Sequence, residues 1–277
     1  MTMTEAQQPQ TTGLRDGAPR RSPGEPSWVS LMVHDIAGIQ HFYESLFGWE
    51  FAPGPEQLGP YVRALVGGHD VAGIGQLPPD RHLPVAWTPY LATEDTNRTA
   101  ETIRLCGGTV GVGPLDAGEA GRLAIASDTA GAVFGIWQPA EGLGTAVSGV
   151  AGAPAWNELL TRETESVVKF YQAVFGYEVE AEVSADFDYL TLHVGSRPVA
   201  SLHGVGQSLP RDRGAHWMTF FEVDEPDEAA ALATDLGGQI LQPPRNAAHG
   251  RVVTIADPEG AALTLIRSAH RRPRTVA

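Results

Sequence analysis

The sequence has a single cysteine, Cys106, and no long run of apolar residues. One cysteine excludes an internal disulfide and argues against a thiolate zinc site, so we expect a reducing, cytoplasmic location. No apolar stretch approaches the roughly 18 residues that span a membrane, and no membrane association is expected. Basic residues are also few: 19 Lys and Arg against 33 Asp and Glu give a net charge of −14. This balance argues against a nucleic-acid partner.

The ends of the chain also lack any apolar stretch. Residues 1–26 are polar and rich in Gln, Thr, Arg and Pro, and they lack the apolar core of a signal peptide. We therefore predict a disordered leader. The Gly-rich stretch 141–154 has no periodicity and is predicted to be a linker, and residues 269–277 are a basic tail. Two domains are left, at 27–140 and 155–268.

An internal repeat organises the rest of the chain. The segment FYESLFGWEF at 42–51 recurs as FYQAVFGYEV at 170–179. Further matches are found at an offset of 128 to 130 residues: Trp28 with Trp156, Tyr61 with Tyr189, Trp87 with Trp217, Gly107 with Gly237, and Asp128 with Asp257. Repeats are sought before anything else because they fix the architecture, and this one indicates a duplication.

Each copy has the order strand, helix and short strands, twice. In the first copy, the spacing of apolar residues predicts helices at 36–46 and 96–105. Strands are predicted at 29–33, 49–51, 61–66, 71–77, 86–92, 109–112, 123–126 and 133–138. Four βαβββ units indicate an α+β fold, in which two mixed, cupped β-sheets have their helices packed outside.

Three motifs carry a resemblance to a known superfamily: FYESLFGWEF at 42–51, GRLAIASDTAG at 121–131 and DPEG at 257–260. With their partners in the other copy, they resemble the vicinal oxygen chelate superfamily, which includes glyoxalase I, bleomycin-resistance proteins and extradiol dioxygenases. The resemblance covers residues 27–268. It implies the fold but no single reaction, because this fold hosts many.

The resemblance also implies a divalent metal in each cup, held by three residues. One ligand is on the first strand of the first unit, one on the first strand of the second unit, and one is a Glu on the last strand. The matching positions are Trp28, Trp87 or Thr88, and Gly135 in the first copy, and Trp156, Trp217 or Met218, and Thr264 in the second. None is a histidine or a carboxylate, and an indole has no lone pair for a metal. We therefore expect no metal and no other cofactor.

Alternation along the strands predicts which side chains face the cups. A substrate-binding set is predicted at Trp28, Tyr61, Arg63, Trp87, Trp156, Thr191, Ser201, Trp217 and Thr219. Four titratable groups of the second cup, Glu158, Tyr189, His193 and His203, are predicted to be catalytic. Ser30, Met32, Gly73 and Gly75 are expected to face the first cup, and Leu160 and Phe221 the second. Met218 and Phe220 are expected to pack outward and His216 to fall outside the cup.

Each of these assignments has a structural alternative. The tryptophans, predicted to stack on a planar ligand, would otherwise be plain core. Arg63 would be a surface ion-pair residue if its strand slipped by one position. Glu158 would only close a hydrogen-bond network with Tyr189 or Arg251. A single histidine in a cup is often structural, and no role is predicted for Cys106 or for His34, His41, His69, His82, His249 and His270.

Two hypotheses of function follow. Metal-free relatives implied by the resemblance include tailoring enzymes of antibiotic and polyketide pathways. The first hypothesis is a metal-independent cyclase or dehydratase of secondary metabolism that acts on an aromatic polyketide-like substrate by acid–base catalysis. The alternative is a drug-sequestering resistance protein or ligand carrier. A metal-dependent dioxygenase or glyoxalase is disfavoured by the missing ligands. Since both domains are in one chain, a monomer is expected, with a homo-oligomer as the alternative.

Overall fold

A computed structural model describes residues 21–78, 84–140, 147–182, 188–206 and 214–269. Most of the predicted leader and tail, the first part of the predicted linker, His82 and His270 lie outside the described residues. Among the helices of the described residues, none is long and apolar enough to cross a membrane.

The first half of the chain contains two strand–helix–strand units. Its helices are α1 (Ile36–Phe47) and α2 (Thr96–Leu105). Its strands are β1 (Pro26–Val33), β2 (Glu50–Pro53), β3 (Tyr61–Val66), β4 (His69–Gln76), β5 (Trp87–Ala92), β6 (Thr109–Asp116), β7 (Gly121–Ser127) and β8 (Val133–Pro139). Short 3-10 turns cover Glu56–Leu58 and Gly118–Ala120.

The second half repeats this order. Its helices are α3 (Thr164–Phe175) and α4 (Pro226–Asp235). Its strands are β9 (Pro154–Thr161), β10 (Glu178–Glu182), β11 (Asp188–Val194), β12 (Arg197–Gly204), β13 (His216–Glu222), β14 (Gln239–Ala247), β15 (Gly250–Ala256) and β16 (Ala262–Ser268).

Each half folds into one mixed sheet of eight strands. The order is β2-β3-β4-β1-β5-β8-β7-β6 in the first half and β10-β11-β12-β9-β13-β16-β15-β14 in the second. The first strands of the two units, β1 and β5 or β9 and β13, pair antiparallel at the centre. The predicted α+β fold with two cupped sheets is confirmed, and the two concave faces are called here the first cup and the second cup.

Local sequence signals explain the helix ends. Asp35 precedes α1, and its carboxylate accepts the backbone N–H of Gly38, which satisfies one of the free donors of the first turn. Gly48 follows α1 with a φ of 68°, a left-handed conformation that favours glycine. Helix α2 has the bounds predicted from the sequence.

The four helices cover the convex faces of the sheets and lie between the two halves. One core joins strands of the first half and α1 to α4 and strands β13, β15 and β16 of the second. The other core joins α2 and strands β5, β7 and β8 to α3 and strands of the second half. The helices are therefore outside the cups, as expected, and the two halves share both of their cores.

Two hydrogen-bonded chains cross between the halves. In the first, Trp87 Nε1 donates to Tyr43 Oη at 2.9 Å, and Tyr43 Oη donates to Asp257 Oδ2 at 2.9 Å. In the repeat, Trp217 Nε1 donates to the hydroxyl of Tyr171 at 3.0 Å. That hydroxyl donates to Asp128 Oδ2 at 3.3 Å. We call these the two Trp–Tyr–Asp chains.

Burial dominates the electrostatics of both chains. It raises the pKa of the Tyr43 and Tyr171 hydroxyls well above the usual value, and the adjacent aspartates raise it further. It also raises the pKa of the Asp257 and Asp128 carboxyls, although backbone N–H groups of their own turns hydrogen-bond to them. The phenols are therefore neutral donors at every physiological pH.

The first prediction concerns the central phenol of one chain. Tyr43→Phe should lower the free energy of unfolding by about 1–3 kcal/mol, because it removes the acceptor of the buried Trp87 N–H and one donor to Asp257. Urea unfolding of Tyr43→Phe, Trp87→Phe and the double variant forms a double-mutant cycle. If the two single effects add within about 0.5 kcal/mol, the side chains are not coupled and the proposed chain is wrong.

The second prediction is a pH dependence. The raised pKa of Asp257 means that the folded protein binds this proton more tightly than the unfolded chain does. The resulting stability is fully present below the unfolded pKa of about 3.9 and is lost as pH rises through the folded pKa. The unfolding free energy of the wild type, relative to Asp257→Asn, should therefore fall as pH rises from about 4 toward neutrality in a urea series.

Asp227 provides the matched control with the opposite sign. It is exposed, and its hydrogen bonds to Arg251 lower the pKa of its carboxyl. Stability relative to Asp227→Asn should be present above the unfolded pKa and lost as pH falls through the folded pKa. Equal pH slopes for the two variants would contradict the assignment of the Asp257 shift to burial.

Candidate functional site

The first cup is filled by its own aromatic side chains. Trp28, Ser30 and Met32 alternate with core residues of β1 and face the cup, where Trp28 Nε1 donates to Tyr61 Oη at 3.0 Å. A Cβ built on Gly73 would lie 1.7 Å from Tyr61 Oη, so the Tyr61 ring lies directly on this glycine. The room that the glycines make is therefore occupied by Tyr61.

A second tyrosine of the first cup was missed by the sequence reasoning. Tyr90 accepts a hydrogen bond from Ser30 Oγ at 3.0 Å, and its ring lies against the position where Gly135 would carry a Cβ. Tyr90 packs with Ala117 and Leu123 in a small buried cluster. Burial raises the pKa of the Tyr61 and Tyr90 hydroxyls, so neither phenol is an acid or base near neutral pH.

The second cup holds a connected polar group. Trp156 Nε1 donates to Ser201 Oγ at 2.9 Å, and Ser201 Oγ donates to Glu158 Oε2 at 3.3 Å. The other carboxylate oxygen, Glu158 Oε1, lies 3.7 Å from His203 Nδ1. The Glu158 and His203 side chains keep 14% and 26% of their surface exposed, and the Nε2 atom of His203 is itself buried, so the pair is sheltered from solvent.

Two aromatic neighbours extend this group toward the rim. The Tyr189 ring meets the His203 ring edge to face, with centroids 5.7 Å apart. It also lies 6.4 Å from the ring of His249, in the turn between β14 and β15. His249, for which no role was predicted, therefore lies near the candidate site, and only the tertiary fold brings it there.

His193 is not part of this group. Its Nε2 lies 3.6 Å from Glu180 Oε2, on the neighbouring strand β10. Along β11 it is four residues from Tyr189, a separation of about 13 Å at the usual rise of a strand. Of the predicted catalytic residues, the structure brings together Glu158, Tyr189 and His203, and their catalytic role stays a prediction.

The predicted orientation is wrong for three substrate-binding residues, Trp87, Trp217 and Thr219, and also for Phe221. All four lie on the convex side of their strands: both indoles donate to tyrosines of the Trp–Tyr–Asp chains, and Phe221 packs against Trp87. Thr219 is fully buried and donates to Asn157 Oδ1 at 2.9 Å. Hydrogen-bond partners of this kind allow polar side chains to be buried on the convex, core-facing side of a strand. The alternation of polar and apolar residues therefore suggested the opposite assignment of the two faces.

The opposite residues of these strands face the cups instead. In antiparallel β9 and β13, Glu158 is opposite Met218 and Trp156 is opposite Phe220, and side chains of directly opposed residues share a face. Met218 and Phe220 therefore line the second cup, and His216 lies on the same face. The register between β9 and β13 is the signal that would have revealed this, and it is not readable from either strand alone.

The other predicted binding residues lie on the concave faces. Trp156, Thr191 and Ser201 face the second cup, and Trp28, Tyr61 and Arg63 face the first. The Arg63 guanidinium is paired with Asp70 at 2.8 Å and donates to the Pro53 carbonyl, so the ion-pair alternative describes its contacts without any slip of the strand.

A cavity of about 180 Å³ lies where the chain enters β1 and β9, and its lining includes Trp28 and Trp156. Its charged side chains include Glu25 and Arg197, which form an ion pair with each other. Neither Glu158 nor His203 lines this cavity.

The positions that would hold a metal do not fit one. On the cup faces they are occupied by Trp28, Thr88 and Gly135 in the first half and by Trp156, Met218 and Thr264 in the second. An indole, a thioether, hydroxyls and a glycine do not form the three-ligand His and carboxylate set of a catalytic divalent site. Within the described residues, no cluster of three His, Cys, Asp or Glu side chains could hold an ion.

Comparison with known proteins gives the following relatives. The family of the glyoxalase-like domain matches residues 158–266. Over 262 residues, the chain is 34% identical to CFP32 of Mycobacterium bovis, a protein named as a glyoxylase, covering 91% of this chain and 98% of the relative. It is 30% identical over 267 residues to the anthracycline biosynthesis protein DnrV of Streptomyces peucetius, covering 89% and 94%.

Solved structures share the fold at low sequence identity. The Mn(II)-bound glyoxalase of Novosphingobium aromaticivorans superimposes with a TM-score of 0.62 at 16% identity, covering 91% of this chain and 87% of that one. The 2,3-dioxygenase LapB of Pseudomonas sp. KL28 gives 0.63 at 16% identity, covering 92% and 96%. These likenesses show the two-domain fold.

The donor set predicts that divalent metals do not stabilise this protein. A site that binds Mn²⁺ or Zn²⁺ with a Kd about 100-fold below the added concentration would raise the unfolding free energy by about 2.7 kcal/mol. We expect the urea midpoint to stay the same with either metal or with EDTA, and metal analysis of the purified protein to find only substoichiometric amounts. A metal-dependent rise of the midpoint would contradict this.

Proposed function

The chain belongs to the glyoxalase-like family within the vicinal oxygen chelate superfamily, and from this premise we propose that it is a tailoring enzyme of secondary metabolism. It acts as a cytoplasmic monomer on an aromatic, polyketide-like small molecule and needs no metal. The reaction is a cyclisation or a dehydration by proton transfer in the second cup. The observation that carries the proposal is the Glu158–His203 pair, 3.7 Å apart on the concave face.

The names of two relatives support the substrate class. DnrV of Streptomyces peucetius and DauV of Streptomyces sp. strain C5 are both named anthracycline biosynthesis proteins, at 30% and 29% identity to this chain. Both alignments cover about nine-tenths of this chain. CFP32 is instead named as a glyoxylase. Taken together, the names of the three relatives support a role in small-molecule chemistry and do not specify one reaction.

The geometry supports His203 as the group that moves the proton. Its Nδ1 faces Glu158, so its Nε2 is directed away from the carboxylate. Nε2 is buried, so a substrate has to displace the groups that cover it. Nε2 then takes a proton from an acidic carbon next to a carbonyl, and the Glu158 carboxylate stabilises the resulting imidazolium. In a cyclisation, the carbanion forms a C–C bond to a second carbonyl carbon of the substrate, and the imidazolium gives its proton to the oxygen of that carbonyl, which becomes an alcohol. In a dehydration, the proton goes to a hydroxyl on the β-carbon, whose C–O bond breaks as the C=C bond forms and water leaves.

The two sides of the second cup differ in polarity. Glu158, Ser201 and His203 lie on β9 and β12, whereas Met218 and Phe220 lie on β13 and present a thioether and a phenyl ring. Such a division favours a ligand that has an apolar aromatic face and an enolisable or hydroxylated edge. It orients the reacting edge toward the acid–base pair.

A second candidate is a protein that binds a drug and does not change it. The net charge of −14 favours this reading for a cationic aromatic compound. The two candidates differ in one observable, because only the enzyme changes the mass or the isotope content of the bound compound.

A metal-dependent dioxygenase or glyoxalase, the activity in the names of the solved structures, is not proposed. The corresponding positions in both cups carry side chains that do not suit a divalent ion.

The fourth prediction separates the two histidines. With a β-dicarbonyl hydroxyquinone in D₂O, His203→Ala should slow deuterium exchange and turnover by about 10²- to 10⁴-fold, the usual contribution of a positioned proton carrier. Mass spectrometry follows both signals. Binding, followed by tryptophan fluorescence, should persist because the ligand's aromatic contacts are retained.

His193→Ala is the matched control. It removes the same side chain from the same cup at a position paired with Glu180, and we expect its activity to stay near that of the wild type. If His203→Ala retains full activity, the proposed acid–base role is wrong. If the compound binds without any change of mass or isotope content, the second candidate, a protein that only binds the drug, is correct.

A further inference from the structure

The two cups have the same strand register but carry different residues at the same sites. Tyr61 is opposite Gly75 in the first half, and Tyr189 is opposite His203 in the second. Ser30 is paired with Gly73, and Glu158 is paired with Ser201. The register therefore matches Gly73 with Ser201 and Gly75 with His203, at the centre of each cup.

The glycines allow Tyr61 to lie flat on the first sheet. A Cβ on Gly73 would lie 1.7 Å from Tyr61 Oη and 2.3 Å from Cζ, and a Cβ on Gly75 would lie 2.9 Å from Tyr61 Cδ2. Any side chain at either position would therefore displace the ring. Trp28 Nε1 holds the phenol in place by its hydrogen bond to Tyr61 Oη at 3.0 Å.

In the second cup the same hydrogen bond goes to a different acceptor. Trp156, the counterpart of Trp28, donates to Ser201 Oγ at 2.9 Å. The serine hydroxyl thus takes the place that the Tyr61 hydroxyl has in the first cup. Tyr189 contacts the rings of His203 and His249 instead.

We propose that Tyr61 is a built-in occupant of the first cup, so that each chain takes one planar phenolic ligand, in the second cup. The residue paired with Ser30 or Glu158 on the neighbouring strand decides which cup is open. Gly73, beside Ser30, leaves room for Tyr61. The side chain of Ser201, beside Glu158, keeps Tyr189 away from the strands at the centre of the second cup. This inference rests on the proposed function for the choice of ligand class, but the positions of the two tyrosines do not depend on it.

The experiment compares the wild type with three variants by calorimetry, using 1,8-dihydroxyanthraquinone as the probe. Tyr61→Ala removes the occupant, and Gly73→Ser displaces it while offering Trp28 a new acceptor. Each should double the stoichiometry from one probe per chain to two. Ser201→Gly should weaken binding by about tenfold, because Tyr189 gains access to the floor of the second cup.

Tyr189→Ala is the matched control, since it removes the corresponding ring from the second cup. It should leave the stoichiometry at one or below, whereas the same substitution at Tyr61 adds a site. Two probes bound by the wild type, or one probe bound by Tyr61→Ala, would overturn the inference.

A second measurement needs no ligand. With 3-fluorotyrosine incorporated, ¹⁹F NMR should show the Tyr61 resonance shifted to a solvent-exposed position in Gly73→Ser, and the Tyr189 resonance shifted to a buried position in Ser201→Gly. Unchanged resonances in both variants would overturn the inference. If the wild type fails to bind the probe, the proposed ligand class is wrong, and the NMR result still decides the role of Tyr61.

Discussion

Two hydrogen-bonded chains buried between the halves hold the rest of the molecule in place. In each, an indole N–H donates to a phenol, and the phenol donates to an aspartate of the opposite half. Asp128 and Asp257 also accept backbone N–H groups of their own turns, which ties the last hairpin of one half to a helix of the other. The convex faces are therefore used for packing between the two halves, and the concave faces are not.

This arrangement explains why duplication allowed the cups to diverge. The shared cores constrain the side chains on the convex faces of both halves, and those positions have kept their Trp, Tyr and Asp residues. The cup faces carry no such constraint. The first now holds a tyrosine packed on glycines, while the second holds Glu158, Ser201 and His203 in a connected polar group. Neither set of residues forms a site of His and carboxylate ligands for a divalent metal.

The fold, and the strand faces that carry part of the candidate site, were predictable from local patterns. The repeat gave the duplication, Asp35 and Gly48 mark the ends of the first helix, and apolar spacing predicted Thr96–Leu105. Alternation placed Glu158 and His203 on one face because their strands have a clearly apolar opposite side. These inferences hold because they depend on neighbours in sequence or on a single face of a strand.

The sequence alone determined the superfamily architecture and the absence of suitable ligands at the metal positions, since both follow from residue identity. The tertiary structure decided which way Trp87, Trp217 and Thr219 point. Alternation reports the buried side of a strand only when polar groups there lack partners, and Tyr43, Tyr171 and Asn157 supply those partners from distant parts of the chain. The tertiary structure also gave His193 and His203 different partners, Glu180 and Glu158. The pairing of strands fixes the distance between side chains on different strands, and the spacing of residues along one strand does not.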